Sequence, residues 1–139
     1  MQNALVDTGA LVALLNRGDA YHAAARAAFA GFRGNLLTTW PVLTEVCHLL
    51  PEHLVVTFMR WCANGGVVLF ELPSAALTAV TALMESYADR PMDLADASLV
   101  WLSGQVGIVD IFTSDNADFY TYRSANGEPF RNLLALPRK

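Results

Sequence analysis

The sequence predicts an α/β fold: one domain over residues 1–139, with a central, mostly parallel sheet of four to five strands flanked by helices. Three observations lead there. Short apolar runs of strand length alternate along the chain with longer segments of helical character, the alternation that gives a parallel sheet covered on both faces. Glycine, proline and asparagine punctuate nearly every junction between them. Hydrophobic residues make up 54% of the 139 and charged residues only 16%, enough apolar material for one well-buried core.

In order, Ala4-Leu5-Val6 is a buried strand stopped by a turn at Asp7-Thr8-Gly9. Residues 11–15 read as helix, broken by Asn16-Arg17-Gly18-Asp19, with Asp19 placed to cap a second helix over residues 20–32. Residues 35–39 are the next strand. Pro41 suits the first turn of a helix reaching about Leu50, where proline forfeits no hydrogen bond. Pro51 opens another helix to Ala63, closed by Asn64-Gly65-Gly66. Residues 67–72 are the third strand, and Pro73-Ser74 opens a helix to Tyr87. A further helix runs over residues 93–106 and stops at Gly107, followed by a fourth strand over residues 108–113. A loop rich in Asp, Asn, Tyr and Gly then leads to a last short strand near residues 132–136.

The totals also set limits. A mean hydropathy of +0.34 is too apolar for disorder and implies that another chain covers part of the surface, so a homodimer through the segments at residues 20–32 and 42–63 is expected. No run of 18 apolar residues is present to span a membrane. The N-terminus lacks a basic region, and Asp7 interrupts its apolar stretch, so a secretory leader is not expected. Cys47 and Cys62, without C-x-x-C spacing, read as buried free thiols in a reducing cytoplasm. Net charge is −4 and no basic patch advertises nucleic acid. A polyanion bound here would need its charge offset by something other than these side chains.

The carboxylates carry the chemistry. Asp93 and Asp96 stand three residues apart at a helix start, Asp93 as N-cap and Asp96 at N3. Asp7 ends strand one, Asp115 follows strand four in Thr113-Ser114-Asp115-Asn116, and Glu45 lies about one turn into the helix after strand two. In a parallel sheet all of these reach the rim at the strands' carboxyl ends, where ligands bind. Two unit charges 4 Å apart repel by about 4 kcal/mol at an effective dielectric of roughly 20, so such a group calls for a cation. Oxygen ligands without His or Cys select a hard ion, Mg²⁺ or Mn²⁺, the equipment of phosphodiester hydrolysis.

Four segments, Leu5-Val6-Asp7-Thr8-Gly9-Ala10-Leu11, Thr44-Glu45-Val46, Asp93-Leu94-Ala95-Asp96-Ala97 and Phe112-Thr113-Ser114-Asp115-Asn116-Ala117-Asp118-Phe119, resemble in order and spacing the signature segments of PIN domains. The likeness is to the VapC-type toxins of type II toxin–antitoxin systems. Phe119-Tyr120-Thr121-Tyr122-Arg123 resembles the tail of one branch of that group. The resemblance implies a Mg²⁺-dependent endoribonuclease, with Mn²⁺ able to substitute, that acts on RNA as a homodimer with a cognate antitoxin. It implies Asp7, Glu45, Asp96 and Asp115 as the acidic quartet, Asp93 as an additional metal ligand, and Thr113 as the hydroxyl that supports the site. A catalytically silent PIN-fold module binding RNA or protein is the competing reading. An aspartyl-phosphate phosphatase using Asp7 would want a second acid where Gly9 stands.

Each residue also has a plainer role. Asp7 and Asp115 suit turns, Asp93 suits a helix cap, and Asp118 suits the cap of a short turn. Arg123 is the basic residue placed to touch a substrate phosphate, with a structural salt bridge as its alternative. Asp110 has no evident role beyond an edge or exposed face. His48 follows Glu45 at helical spacing, but His22, His48 and His53 show no zinc spacing. Trp40, Trp61 and Trp101 read as core or interface.

Overall fold

The structure, a computed structural model, describes residues 2–134. Five strands form one sheet: β1 (Gln2–Val6), β2 (Gly34–Thr39), β3 (Val68–Phe70), β4 (Asp110–Phe112) and β5 (Arg131–Asn132). They lie in the order β3-β2-β1-β4-β5, and every neighbouring pair is parallel. Among the described residues seven α-helices flank the sheet: α1 (Thr8–Leu15), α2 (His22–Ala30), α3 (Trp40–Leu49), α4 (Glu52–Trp61), α5 (Leu77–Ser86), α6 (Leu94–Val106) and α7 (Asn116–Thr121).

This order has a consequence for function. From β1 the chain builds outward through β2 to β3, then returns to place β4 on the other side of β1. The switch point of a doubly wound sheet, where a crevice opens beyond the carboxyl ends of the strands, therefore lies between β1 and β4. Val6 pairs with Phe112 there, and the Asp7 N–H still donates to the Phe112 carbonyl at 3.1 Å. The β1 residues Ala4, Leu5 and Val6 are fully buried, as are Leu11, Val42, Val46, Leu99 and Ile111, so the switch point stands on fully buried core.

Several elements depart from the sequence expectations. There is no turn at Asp7-Thr8-Gly9: β1 passes directly into α1, with Asp7 as the N-cap accepting from Ala10 N at 2.9 Å. Gly9 therefore lies inside a helix, and its missing side chain serves packing, because a Cβ there would stand 1.9 Å from Ser114 Oγ. Asp19 does not cap α2. Its carboxylate accepts from Tyr21 N at 2.9 Å, and the helix starts one residue later. The helix begun after Pro51 ends at Trp61, and a wide turn over Cys62–Gly66 closes it through Gly65 at φ 96°. Cys47 and Cys62 are free thiols, but half-buried rather than buried.

The segment after β4 that reads as loop contains α7, capped by the Asp115 side chain on Asp118 N at 3.3 Å. The last strand is Arg131–Asn132, and residues 135–136 of the expected strand lie outside the described residues. Asp110 has a clear role. At the amino end of β4 it accepts from Gln2 Nε2 at 2.8 Å and takes both prongs of the Arg131 guanidinium at 2.7 and 2.8 Å, joining β1, β4 and β5 at that edge. No helix among the described residues is long and apolar enough to cross a membrane.

Candidate active site

Hydroxyl side chains line the carboxyl rim of the sheet and fix the elements that carry the acids. Thr38 donates to the Val6 carbonyl at 3.0 Å, holding β2 to β1 just below Asp7. Thr39, the last residue of β2, shares a 2.6 Å hydrogen bond with Ser98 of α6, and both are fully buried. Ser98 also bonds the Ala95 carbonyl at 2.7 Å, which sets the depth and rotation of the first turn of α6. Thr113 bridges two acids: its hydroxyl donates to Asp7 Oδ2 and accepts from Asp115 N at 2.8 Å. Buried polar groups of this kind are retained where each has a partner, and here each one does.

On that frame stand five carboxylates. Asp7 is only 4% exposed. Burial, together with the charges of Asp115 and Glu45, pushes its carboxyl up to about 7, against the Thr113 and Ala10 hydrogen bonds that favour the charged form. Asp96 is pushed up to about 8 by burial, then by Asp93, Asp7 and Asp115, and only the Tyr122 hydroxyl, 3.3 Å from its Oδ2, pulls it back. Asp115 rises to about 6 through burial and its contact with Asp118. Glu45 is raised by burial and by Asp93. Asp93 caps α6 with Asp96 N at 2.8 Å. The five thus act on one another electrostatically from the cap of α1, α3, the cap and first turn of α6, and the cap of α7.

Beside Glu45 and Asp93 opens a groove of about 710 Å³ lined by Trp40, Thr44, His48, Leu72 and Leu94, among others. Trp40 is 45% exposed at its edge.

The residues suit a hard cation by donor chemistry: oxygens alone, several held ionised with difficulty, and no imidazole or thiolate among them. Among the described residues no three His, Cys, Asp or Glu side chains already form a metal-ligating group, so the acids are a ring of neighbouring charges rather than a closed cage.

The remaining sequence candidates sit as follows. Arg123 is not part of the ring. Its Nη1 donates to the carbonyls of Tyr120, Thr121 and Tyr122 at 2.6 to 3.2 Å, closing the end of α7. Asp118 does not cap a turn: it lies inside α7, its N–H is taken by the Asp115 cap, and its carboxylate meets Asp115 on one side and Arg90 on the other, with Nη1 to Oδ1 at 3.0 Å. Sequence reasoning missed Tyr122 and Arg90. The first has the burial of a core aromatic, and the only signal for the second was a lone arginine three residues before Asp93.

The sequence matches the PIN domain family over residues 4–124. The chain belongs to that family. Among solved structures, this PIN domain is similar to VapC20 of Mycobacterium tuberculosis, described as a sarcin-ricin-loop-cleaving toxin, with a TM-score of 0.75 and 19% identity. That alignment covers 83% of this chain and 91% of the other. No curated protein sequence matches it. At that identity the likeness shows a shared fold.

Proposed function

We propose that this PIN domain is a divalent-metal-dependent endoribonuclease and the toxin of a toxin–antitoxin pair, with Asp7, Glu45, Asp96 and Asp115 as its catalytic acids. The observation that carries the reading is the gathering of these carboxylates at the carboxyl rim of the sheet, with Asp7 and the Asp115 N–H joined through Thr113 and each acid raised by burial and by its neighbours. A buried acid held above its ordinary range costs stability and persists where a ligand repays it. The sarcin-ricin-loop-cleaving toxin of the same fold supports RNA as the substrate class.

Asp7, Glu45, Asp93, Asp96 and Asp115 are the residues that would hold the ion, Mg²⁺ with Mn²⁺ able to substitute. When bound it supplies positive charge against the scissile phosphate and lowers the pKa of an attacking water. The protein's own part is positional. Thr113 fixes Asp7 and, through the Asp115 N–H, the start of α7. Tyr122 holds one oxygen of Asp96. Because Asp7 and Asp96 are raised toward neutrality, loading an ion would release protons, and affinity for it would rise with pH.

The test is cleavage of structured RNA with and without Mg²⁺ by the native chain and by Asp7→Asn. Loss of cutting on removing either the ion or the carboxylate supports the reading. Equal cutting by both proteins removes the reading, and no cutting by either leaves the silent binding module.

Partners follow from exposed surface and charge. Trp40, Leu49, Val56 and Met59 expose apolar area on α3 and α4, whereas α2 offers mostly alanine and arginine to solvent. The homodimer is therefore assigned to the α3–α4 face, and a monomer by light scattering at micromolar concentration would remove it. A cognate antitoxin would quench the site with a basic side chain set among the acids.

A further inference from the structure

A domain of net charge −4 that gathers carboxylates at one rim of its sheet disfavours a nucleic-acid strand there unless cations offset the charge. One bound ion can meet the scissile phosphate. The phosphates on either side need another cation, and the structure offers one at the right place. Arg90 lies on the turn between α5 and α6, three residues before Asp93. Its guanidinium reaches across to α7, where it pairs with Asp118, and its charge is felt at Asp115. It therefore stands at the edge of the acid ring.

We propose that Arg90 is a substrate-binding residue that takes a backbone phosphate of the RNA next to the scissile one, exchanging the Asp118 carboxylate for it. The inference rests on the nuclease reading above and adds to it the residue that grips the strand.

Three features of the pair carry this. First, it is lightly held: a single Nη1–Oδ1 contact at 3.0 Å, with the arginine side chain 46% exposed. That contact uses one donor of a group that has five in a fork matched to phosphate oxygens. Arg131, by contrast, puts two prongs on Asp110 at 2.7 and 2.8 Å, and Arg123 is taken up by three carbonyls. Second, the turn is anchored to the site. Arg90 N donates to the Tyr87 carbonyl at 3.0 Å. The Tyr87 ring packs edge-on against Tyr122 at 5.0 Å, and Tyr122 bonds Asp96. The stem of the arginine is thus positioned by the residues that position a catalytic acid. Third, Asp118 already meets the crowded Asp115 carboxylate, so a neutralising guanidinium parked on it offsets charge until the strand arrives.

The experiment measures binding of a fluorescein-labelled RNA hairpin to the full chain carrying Asp7→Asn to silence cleavage, with Mg²⁺ present and salt varied. Arg90→Ala should weaken binding about fivefold to tenfold and reduce the slope of log K against log salt by about 0.7 to 0.9, the loss of one phosphate contact. Arg90→Lys should fall between, keeping the charge without the fork. Asp118→Asn should tighten binding by freeing the guanidinium, and that gain should shrink when Arg90 is already alanine, since the two residues are coupled. Arg131→Ala and Asp110→Asn, at the far edge of the sheet, control for net charge and should stay within about twofold.

A surface ion pair with no role in binding predicts otherwise: Arg90→Ala and Asp118→Asn would act alike, and both salt slopes would equal the parent's. That result overturns the inference while leaving the nuclease reading intact. A parent chain that binds no RNA overturns both. Should Arg90→Ala unfold the turn, as circular dichroism would reveal, Arg90→Lys and Asp118→Asn carry the test, because both keep a polar side chain in place.

Discussion

Asp7 and Asp110 sit on adjacent parallel strands, one at the carboxyl end of β1 and the other at the amino end of β4, and they have opposite electrostatic fates. Asp110 is met by Gln2 and by the Arg131 fork, and the Arg131 hydrogen bond holds its carboxyl below the ordinary range. Asp7 is buried beside Asp115 and Glu45, with hydroxyl and amide donors but no counter-charge, and rises to about 7. Both are aspartates at the end of an apolar strand. One end of the sheet is satisfied for stability, and the other is left short of positive charge. That asymmetry is what the proposed cation would offset.

The sharpest way to break the comparison is to neutralise each acid in turn. Asp7→Asn removes a proposed ion ligand and should cut Mg²⁺-dependent RNA cleavage by about 100-fold or more. It also removes a buried carboxyl without removing the helix cap, since asparagine caps as well as aspartate. Melting in the absence of metal should therefore shift upward, by roughly 1 to 3 kcal/mol of stability. Asp110→Asn should do the reverse, lowering the melting temperature slightly and leaving cleavage within about twofold. If Asp7→Asn destabilises the ion-free protein, Asp7 is an ordinary satisfied cap and the asymmetry is false.

The pH dependence of stability comes next in size. Asp7, Asp96 and Asp115 have folded pKa values of about 7, 8 and 6, above those of an unfolded chain. The folded state therefore holds more protons than the unfolded state from about pH 4 to about pH 8, and stability contributed at the acid end is lost as pH rises through that window. Thermal melts without metal should be highest near about pH 5 and fall toward about pH 8. Adding Mg²⁺ should raise the melting temperature more at the alkaline end, where the carboxylates are already ionised. Asp110 works the other way: its contribution is full above the unfolded value and disappears as pH falls through its lowered pKa. A metal-free melting temperature that rises steadily over the same window would contradict the assignment of raised acids.

How much of this was legible in the sequence depends on the range of the interaction involved. The Asp93–Asp96 cap could be read directly because it closes within one helical turn. The alternation of strands and helices was readable as well, because periodicity is local. Strand order was not, since it depends on pairings between residues as distant as Val6 and Phe112, and it alone puts Asp7 and Asp115 on the same crevice. The helix α7 escaped notice because six residues, Asn-Ala-Asp-Phe-Tyr-Thr, are too few to show a period. Gly9 reads as a turn former, but its reason is the Ser114 side chain, 105 positions further along. The Arg90–Asp118 pair spans two elements joined only in the folded state.

Thr113→Val tests whether a shared hydroxyl is what couples the two acids at the crevice. Valine fills the same volume but strands the Asp115 N–H and removes the donor on Asp7 Oδ2. A loss of about 1 to 3 kcal/mol in stability is expected, together with a rise in the Asp7 pKa, because the lost hydrogen bond favoured the charged form. Nuclear magnetic resonance titration of the carboxyl carbons would show the rise. An unchanged Asp7 titration would mean that burial alone sets its value.

The smallest effect is expected at Tyr122→Phe, and its direction is the informative part. The ring is fully buried, packed edge-on against Tyr87 and Phe119 at 5.0 and 5.2 Å, so phenylalanine keeps the packing and deletes only the hydroxyl. That hydroxyl donates to Asp96 across a long 3.3 Å and, in its turn, is pushed well above the ordinary tyrosine range by burial and by Asp96. Removing it takes away the hydrogen bond that restrains the Asp96 carboxyl, which should rise from about 8. The acid limb of the Mg²⁺-dependent cleavage profile should then move toward higher pH by about half a unit, with stability lowered by no more than about 1 kcal/mol. A purely structural hydroxyl would lower the melting temperature and leave the limb where it was. Movement of the limb with little loss of stability would show that a core aromatic tunes an acid of the crevice, something the far edge of the sheet, closed by Arg131, has no means to do.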